Sequence, residues 1–491
     1  MALLQILHAA LRPLLTETVG NDNVDQLFFA QTLAAGYAYE QPPLYTWLVW
    51  GIAQILGPTV VTLGLVRYAL VFLIHLFAYL AGRKLLCNPR LQVACGLSPL
   101  LLYPIGWRLH EADTMGVLAS VLVLALVWVF LRILRRGRIG DFLGFGLLLG
   151  LGLLSSGWMP IGLAALFLAV LMVRSARGAF YRPPLLLSLV LAGLIVLPTA
   201  LWILDAGSAF FNQVAASLAD WHKPEDLNPW YLRAWFGFVN LFVGAFPNWL
   251  ILGLLFLPSL LPLPRGSLQD GGRVLLLYCG LLLLLSPLAA VLFDIDKAHQ
   301  FRLYPLTLPF LPLFFRRLEL HGVKETALRW LFILYAVFIL VAIQARFQHI
   351  EAGPAFCAKC RMQTPYPAFA GELGAEGYSG RGTIVAGDIH IAGNFRASFP
   401  DARILTPRYP EVRPPLRGAE GPCLVVWSTA EGKGHVATLY SFLEVLGADL
   451  PPSDRAERHI LKIPLPARID VPQRQVVLDT ILLPHGSGDC R

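Results

Sequence analysis

The feature that most constrains this chain is a succession of long apolar stretches separated by short charged loops. Apolar runs recur from about Leu44 to Ile343, and several reach the roughly 20 residues that a helix needs to cross a hydrocarbon core. Lipid offers backbone N–H and C=O groups no partner, so spanning runs of this kind fold as helices. Composition agrees: 56% of the 491 residues are hydrophobic and 14% are charged, against about 25% charged in an ordinary soluble domain. The expected fold class is mainly α, a polytopic transmembrane helical bundle of about 11 spans.

The candidate spans are 2–19, 60–82, 91–106, 114–132, 141–156, 158–173, 185–204, 237–261, 274–293, 303–315 and 328–346. One set of loops is basic: Arg83, Lys84 and Arg90, then Arg132, Arg135, Arg136 and Arg138, then Arg174, Arg177 and Arg182, with Arg265, Arg273, Arg316, Arg317, Lys324 and Arg329 later. The positive-inside rule makes these loops cytoplasmic. The alternate loops collect acids: Asp22, Asp25 and Glu40, then Glu111 and Asp113, Asp205, Asp220, Glu225 and Asp226, and finally Asp294 and Asp296. The alternation requires 141–173 to be a helical hairpin turning near Ser155, Ser156 and Gly157. The N-terminus has no basic n-region and no small-residue cleavage site, so it reads as a first span, interrupted by Arg12, and not as a removed signal peptide. The net charge of +8 sits mainly in short loops without interleaved aromatics, which speaks against nucleic acid as a partner.

From about His349 to Arg491 the chain becomes rich in Pro, Gly and charge. A division into 1–348, a membrane domain with its first outer loop at about 20–59, and 349–491, a soluble α/β domain, is expected. GTIVAGD and ARILTP read as strands flanking a short helix through Asn394; CLVVWST is a buried strand, TLYSFLEVLG a helix, and ERHILKIPL and QVVLDTILL later strands. An odd number of spans from a cytoplasmic start exports this tail, and export favours disulfides among Cys357, Cys360, Cys423 and Cys490. Cys357 and Cys360 also fit a zinc half-site or a redox pair. The connectivity stays open.

The segment from Asn21 to Trp47 is unusual in placing carboxylates beside membrane-type segments, where acids generally have a function. Asp22 is followed fourteen residues later by Gly36 and Tyr37, then by Gln41, Pro42, Pro43, Leu44, Tyr45 and Trp47. This pattern resembles the first periplasmic loop of bacterial membrane glycosyltransferases of the protein O-mannosyltransferase-like group, with the GT-C fold. That group includes the aminoarabinose transferase of lipid A and the galacturonic acid transferases of rhizobial lipopolysaccharide. Arg67 in LVRYALVF, the step Ala112, Asp113 and Thr114, the cluster His299, Arg302 and Pro305, and the tail segment TIVAGDIHIAGNFRASFP match in order. Two positions depart from the group's pattern. Asn23 stands where relatives carry a second acid, and Ser156 where many carry a lysine.

The resemblance implies an inverting transferase in the bacterial inner membrane. It would move a sugar from a polyprenyl-phosphate donor to a periplasmic acceptor, preferably an envelope glycolipid such as lipid A or lipopolysaccharide core. That reaction needs a carboxylate to orient or deprotonate the acceptor and cations to hold the departing phosphate. Asp22 takes the first role by its match, with helix N-capping as the alternative; Asp25, three residues on, shares its helical face. Glu40, Tyr45, His110, Asp113 and Trp221 are the acceptor or sugar-pocket residues, although Asp113 also suits a helix cap and the aromatics an interfacial belt. His299, Arg302, Lys297 and Arg67 are the phosphate candidates, against snorkelling at span ends or, for Arg67, pairing with an outer-loop acid. No nucleotide loop or metal-ligand cluster stands out, so no cofactor is expected and a divalent metal is left open. The rival readings are transfer to a protein acceptor and a non-catalytic lipid or solute transporter.

Overall fold

The computed structural model describes all residues except 21, 39–40, 221–228, 244–251, 253–255, 257–267, 293–302, 357–362, 417–420, 429–432, 449–454, 464–474 and 485. The helices are α1 (Ala2–Leu15), α2 (Asp22–Phe29), α3 (Pro43–Leu56), α4 (Val60–Leu85), α5 (Pro89–Leu97), α6 (Tyr103–Gly106), α7 (Thr114–Arg136), α8 (Ile139–Leu153), α9 (Met159–Met172), α10 (Arg174–Phe180), α11 (Pro184–Asp220) and α12 (Trp230–Val243). They continue with α13 (Asp270–Leu292), α14 (Tyr304–Thr307), α15 (Phe310–His321), α16 (Glu325–Phe356), α17 (Tyr366–Ala375), α18 (Ile389–Ser398) and α19 (Lys433–Val445). The strands are β1 (Thr383–Ala386), β2 (Arg403–Leu405), β3 (Cys423–Ser428), β4 (Glu457–Lys462) and β5 (Gln475–Leu483). The chain divides into two compact units, one of residues 1, 39–44 and 69–342, the other of residues 2–38, 45–68 and 343–491.

Among the described residues, five helices are long and apolar enough to cross a bilayer: α4, α7, α11 as far as Gly207, α13 and α16 as far as Ala352. Several shorter expected spans differ in detail. α1 stops after 14 residues, and the buried Arg12 turns its guanidinium onto the carbonyls of Thr16 (2.9 Å) and Thr18 (3.1 Å) beyond the helix end. The 91–106 stretch is not one helix. It breaks into α5, a 3-10 turn over Ser98–Leu101 and α6, with Pro99 and Pro104 each near the start of a new piece, since proline has no N–H for the preceding turn. The 303–315 stretch likewise divides into α14 and α15 around Leu308 and Pro309. The expected span at 237–261 lies largely outside the described residues.

The 141–173 hairpin forms as α8 and α9. Its turn is built by serines: Ser155 Oγ donates to the Gly152 carbonyl (2.7 Å), and Ser156 Oγ accepts from Trp158 N–H (3.3 Å). Small residues bring α8 against α11. A Cβ on Gly146 would lie 2.5 Å from the Ser188 carbonyl oxygen and one on Gly150 2.9 Å from Ile195, while Ser188 Oγ bonds the Phe142 carbonyl at 2.6 Å. Close backbone approach of this kind is what holds helices together where lipid removes the hydrophobic drive. The surrounding core stacks Phe130, Phe142, Phe145 and Phe180, and at the α7–α8 turn the buried Asp141 pairs with Arg132 at 2.6 Å.

In the second unit a five-stranded sheet runs in the order β2-β1-β3-β5-β4. β1 pairs in parallel with β2 and β3, and β5 pairs antiparallel with β3 and β4. β3 is central and buried on both faces, which is why CLVVW is a continuous apolar run instead of an alternating one. The expected strands and the helices through Asn394 and Leu439 are all present. A disulfide joins Cys423 on β3 to Cys490; Cys357 and Cys360 lie outside the described residues.

Candidate active site

α2 begins at Asp22, with Asp22 and Asp25 in its first turn, where the helix dipole favours acids. Its polar residues fall on two faces because neighbours three apart share a side. Asn23 and Gln26 are buried, with Asn23 Oδ1 accepting from Arg67 Nη2 (2.5 Å) and Gln26 Oε1 from the Thr46 hydroxyl (2.7 Å). Asp22 and Asp25 are both half-buried. Asp25 Oδ1 accepts from the Tyr409 hydroxyl at 3.0 Å, and the Tyr409 ring packs on Phe29 (4.8 Å between centroids) and Phe28.

Arg67 is the largest fully buried side chain described, 2% exposed. One acceptor of its guanidinium is thus the neutral amide of Asn23, which helps to hold it in place. Tyr45, 1% exposed, lies in the fields of both Arg67 and Asp22. Burial raises its phenol above the usual value, Arg67 pulls it down and Asp22 pushes it up. Asp22, Tyr45 and Arg67 thus form one electrostatic cluster, with Asp25 a turn further on and engaged by Tyr409. A half-exposed carboxylate at such a place suits the orienting or deprotonation of a hydroxyl nucleophile.

The aromatics of the loop turn inward. Tyr37 donates to the Thr32 carbonyl (2.8 Å) and accepts from Ala34 N–H (3.2 Å), and burial pushes its phenol up to about 12. Trp47 Nε1 donates to the Ala34 carbonyl at 2.8 Å. The Gly36 and Tyr37 step therefore closes the loop on itself, and Tyr37 and Tyr45 are core residues instead of outer-leaflet anchors.

His110 and Asp113 belong to the other compact unit. Asp113 caps α7, its Oδ1 accepting from Gly116 N–H at 2.9 Å. Its φ of 60° is the one left-handed value at a non-glycine residue among those described, a strain that persists where its surroundings impose it. Gly116 is required there, because a Cβ would lie 2.2 Å from the Asp113 carboxylate. His110 is 4% exposed and ends a 3-10 turn over Arg108–His110. Glu40, Trp221, Lys297, His299 and Arg302 lie outside the described residues.

Sequence reasoning missed the side chains that hold the loop. Asn394 on α18 pairs both backbone groups of Val19, accepting from its N–H (2.9 Å) and donating to its carbonyl (3.0 Å). Gln31 does the same for Ile404 on the edge strand β2 (2.8 and 3.1 Å), and Thr18 Oγ1 donates to the Thr364 carbonyl at 2.5 Å. α2 lies so close to α18 that a Cβ on Gly393 would meet the Val24 carbonyl oxygen at 2.4 Å. The only signal in the sequence was that the segment around Asn394 matched in order.

The family model for dolichyl-phosphate-mannose-protein mannosyltransferases matches residues 40–202, beginning after Asp22. The lipopolysaccharide core galacturonosyltransferase RgtA of Rhizobium johnstonii is 26% identical over 433 residues, covering 86% of this chain and 84% of that protein. RgtB of the same organism is 26% identical over 477 residues, covering 94% and 92%. Among solved structures, ArnT from Cupriavidus metallidurans bound to undecaprenyl phosphate superposes with a TM-score of 0.58 at 12% identity, covering 96% of this chain and 97% of that one, which shows a shared fold. The chain is a membrane glycosyltransferase, similar over most of its length to galacturonosyltransferases of lipopolysaccharide core and over residues 40–202 to the mannosyltransferase family.

Proposed function

We propose that this protein transfers a sugar from a polyprenyl-phosphate carrier to an envelope glycolipid, such as lipid A or lipopolysaccharide core, on the periplasmic face of the bacterial inner membrane. The acceptor hydroxyl oxygen attacks the anomeric carbon, the bond from that carbon to the phosphate oxygen breaks, and the polyprenyl phosphate leaves with the electron pair. The acceptor proton passes to the Asp22 carboxylate, and the configuration inverts. The observation that carries the reading is the placing of Asp22, half-exposed, beside Tyr45 and the buried Arg67, in a chain similar over most of its length to galacturonosyltransferases of lipopolysaccharide core. Arg67 serves this reading as a positioning residue through Asn23 and Tyr45. Arg302, His299 and Lys297 stay as the proposed contacts of the donor phosphate, and Glu40, His110, Asp113 and Trp221 as the proposed acceptor pocket. The disulfide between Cys423 and Cys490 supports a tail in an oxidising compartment.

The test is mass spectrometry of envelope glycolipids from a deletion strain complemented with wild type, Asp22→Asn or Asp25→Asn. Loss of a catalytic acid–base group costs about 100- to 10,000-fold in rate, so Asp22→Asn should leave the sugar mass absent, as in the deletion strain. Asp25→Asn should retain the modification, since that carboxylate is engaged by Tyr409. Full modification with Asp22→Asn would remove Asp22 from the chemistry. An unchanged glycolipid profile in the deletion strain would reject this acceptor class.

A further inference from the structure

We propose that the C-terminal sheet region carries a structural divalent-metal site, suited to Zn2+ or Mn2+, formed by Glu376, Glu457 and His459 with Glu372 at its edge. The potential ligand atoms of Glu376, Glu457 and His459 all lie within 4.8 Å of one another. His459 Nδ1 is 3.5 Å from Glu372 Oε2 and 3.7 Å from Glu376 Oε1. These distances exceed the 2.7–3.2 Å range of ordinary N–H···O bonds. They resemble the separation of about 3.4 Å between two donors each bound about 2.1 Å from one tetrahedral ion.

The imidazole is held in the orientation a ligand needs. Its side chain is 6% exposed, Nε2 bonds Thr480 Oγ1 at 3.1 Å, and the ring meets Phe369 edge-on with centroids 4.9 Å apart. With Nε2 committed to Thr480, Nδ1 is aimed at the carboxylates. A histidine whose second nitrogen is fixed by an outer partner is the usual arrangement at a metal. The acids are also badly placed without a cation. Glu372 sits in the last turn of α17 and Glu376 is its C-cap residue, where the helix dipole disfavours negative charge. The neighbouring Arg458 is bonded to Asp479 at 2.8 Å.

One imidazole with carboxylates matches Zn2+ or Mn2+ better than Ca2+, which takes oxygen ligands. β4 is the edge strand of the sheet, and an ion here would pin it to the end of α17. The site was not legible as a motif because its ligands come from a helix end and a strand some 80 residues apart in sequence.

The experiment uses the full-length, tag-free protein in detergent, stripped with chelator and titrated with Zn2+ or Mn2+ at neutral pH, with elemental analysis of the loaded protein. One bound ion per chain and a rise in melting temperature are expected. Glu457→Gln should weaken the apparent affinity tenfold or more, and Thr480→Val should weaken it about 10- to 100-fold through the histidine. Glu457 is exposed, so its variant leaves the core intact. No metal-dependent shift in the wild type overturns the proposal, as does a shift undiminished in Glu457→Gln. Stabilisation by acidification alone, without metal, also overturns it and assigns the cluster to an imidazolium held by the carboxylates.

Discussion

Asn23 shows how much a single side chain can carry and how little of it a sequence displays. The family resemblance leads one to expect an acid there; in the fold it is an acceptor for a buried guanidinium. The sequence offered both roles for Arg67, phosphate contact and pairing with the outer loop, and only the geometry places its Nη2 on α2. A hydrogen bond to a charged group is worth about 1.5–3 kcal/mol. Asn23→Leu should therefore lower stability by about that amount, visible as a reduced melting temperature in detergent. Asn23→Asp, which keeps an oxygen at the same place, should be close to wild type. An unchanged melting temperature for Asn23→Leu would mean that Arg67 is held by other groups. The spacing to Gly36 and Tyr37 drew attention to the start of α2, whereas the engagement of Asp25 by Tyr409 left no sequence signal, since those residues lie 384 positions apart.

At the scale of elements, long helices and short strands were readable because each has a strong local period and clear stops. The pieces that escaped were those decided by single residues, such as the breaks at Pro99 and Pro104. The clamps between α2 and its neighbours were also invisible, because they join side-chain amides to backbone, a bond that leaves no pattern. Asn394 is the clearest case, satisfying both the N–H and the carbonyl of Val19. Asn394→Leu would leave two buried backbone groups without these bonds, at about 1–3 kcal/mol for each. The expected result is a loss of stability together with a fall in transfer rate, as the segment leading into Asp22 loses its fixed course. If stability falls and the rate per folded molecule holds, the clamp serves the fold alone. Gln31→Leu at β2 provides the comparison, since it frees the Ile404 backbone on the other side of α2.

For the molecule as a whole, composition pointed to a multi-helix membrane protein, because 14% charged residues is well below the roughly 25% of ordinary soluble domains. The grouping of residues 2–38 and 45–68 with 343–491 in one compact unit rests on contacts between the two ends of the sequence, which no local period encodes. The same holds for the tail's disulfide, whose partners are 67 residues apart. Around it the final residues are knitted in: the Thr383 hydroxyl donates to the Arg491 carbonyl at 2.6 Å, Arg413 pairs with Asp489 at 2.8 Å, and Arg403 donates to the Asp489 carbonyl. Closing a loop of this length in the unfolded chain is worth about 4 kcal/mol by the chain-entropy relation, within a usual range of about 2–5. The double variant Cys423→Ser with Cys490→Ser should melt several degrees below the oxidised wild type. Reductant should lower the wild type towards the variant and narrow the gap between the two. Alkylation before and after reduction supplies the independent reading: in wild type the thiols of Cys423 and Cys490 become reactive only after reduction, and in the variant those two masses are missing. Equal melting of the two proteins under oxidising conditions would show that the hydrogen bonds and the Arg413–Asp489 pair, and not the covalent link, hold the C-terminus to β1 and β3.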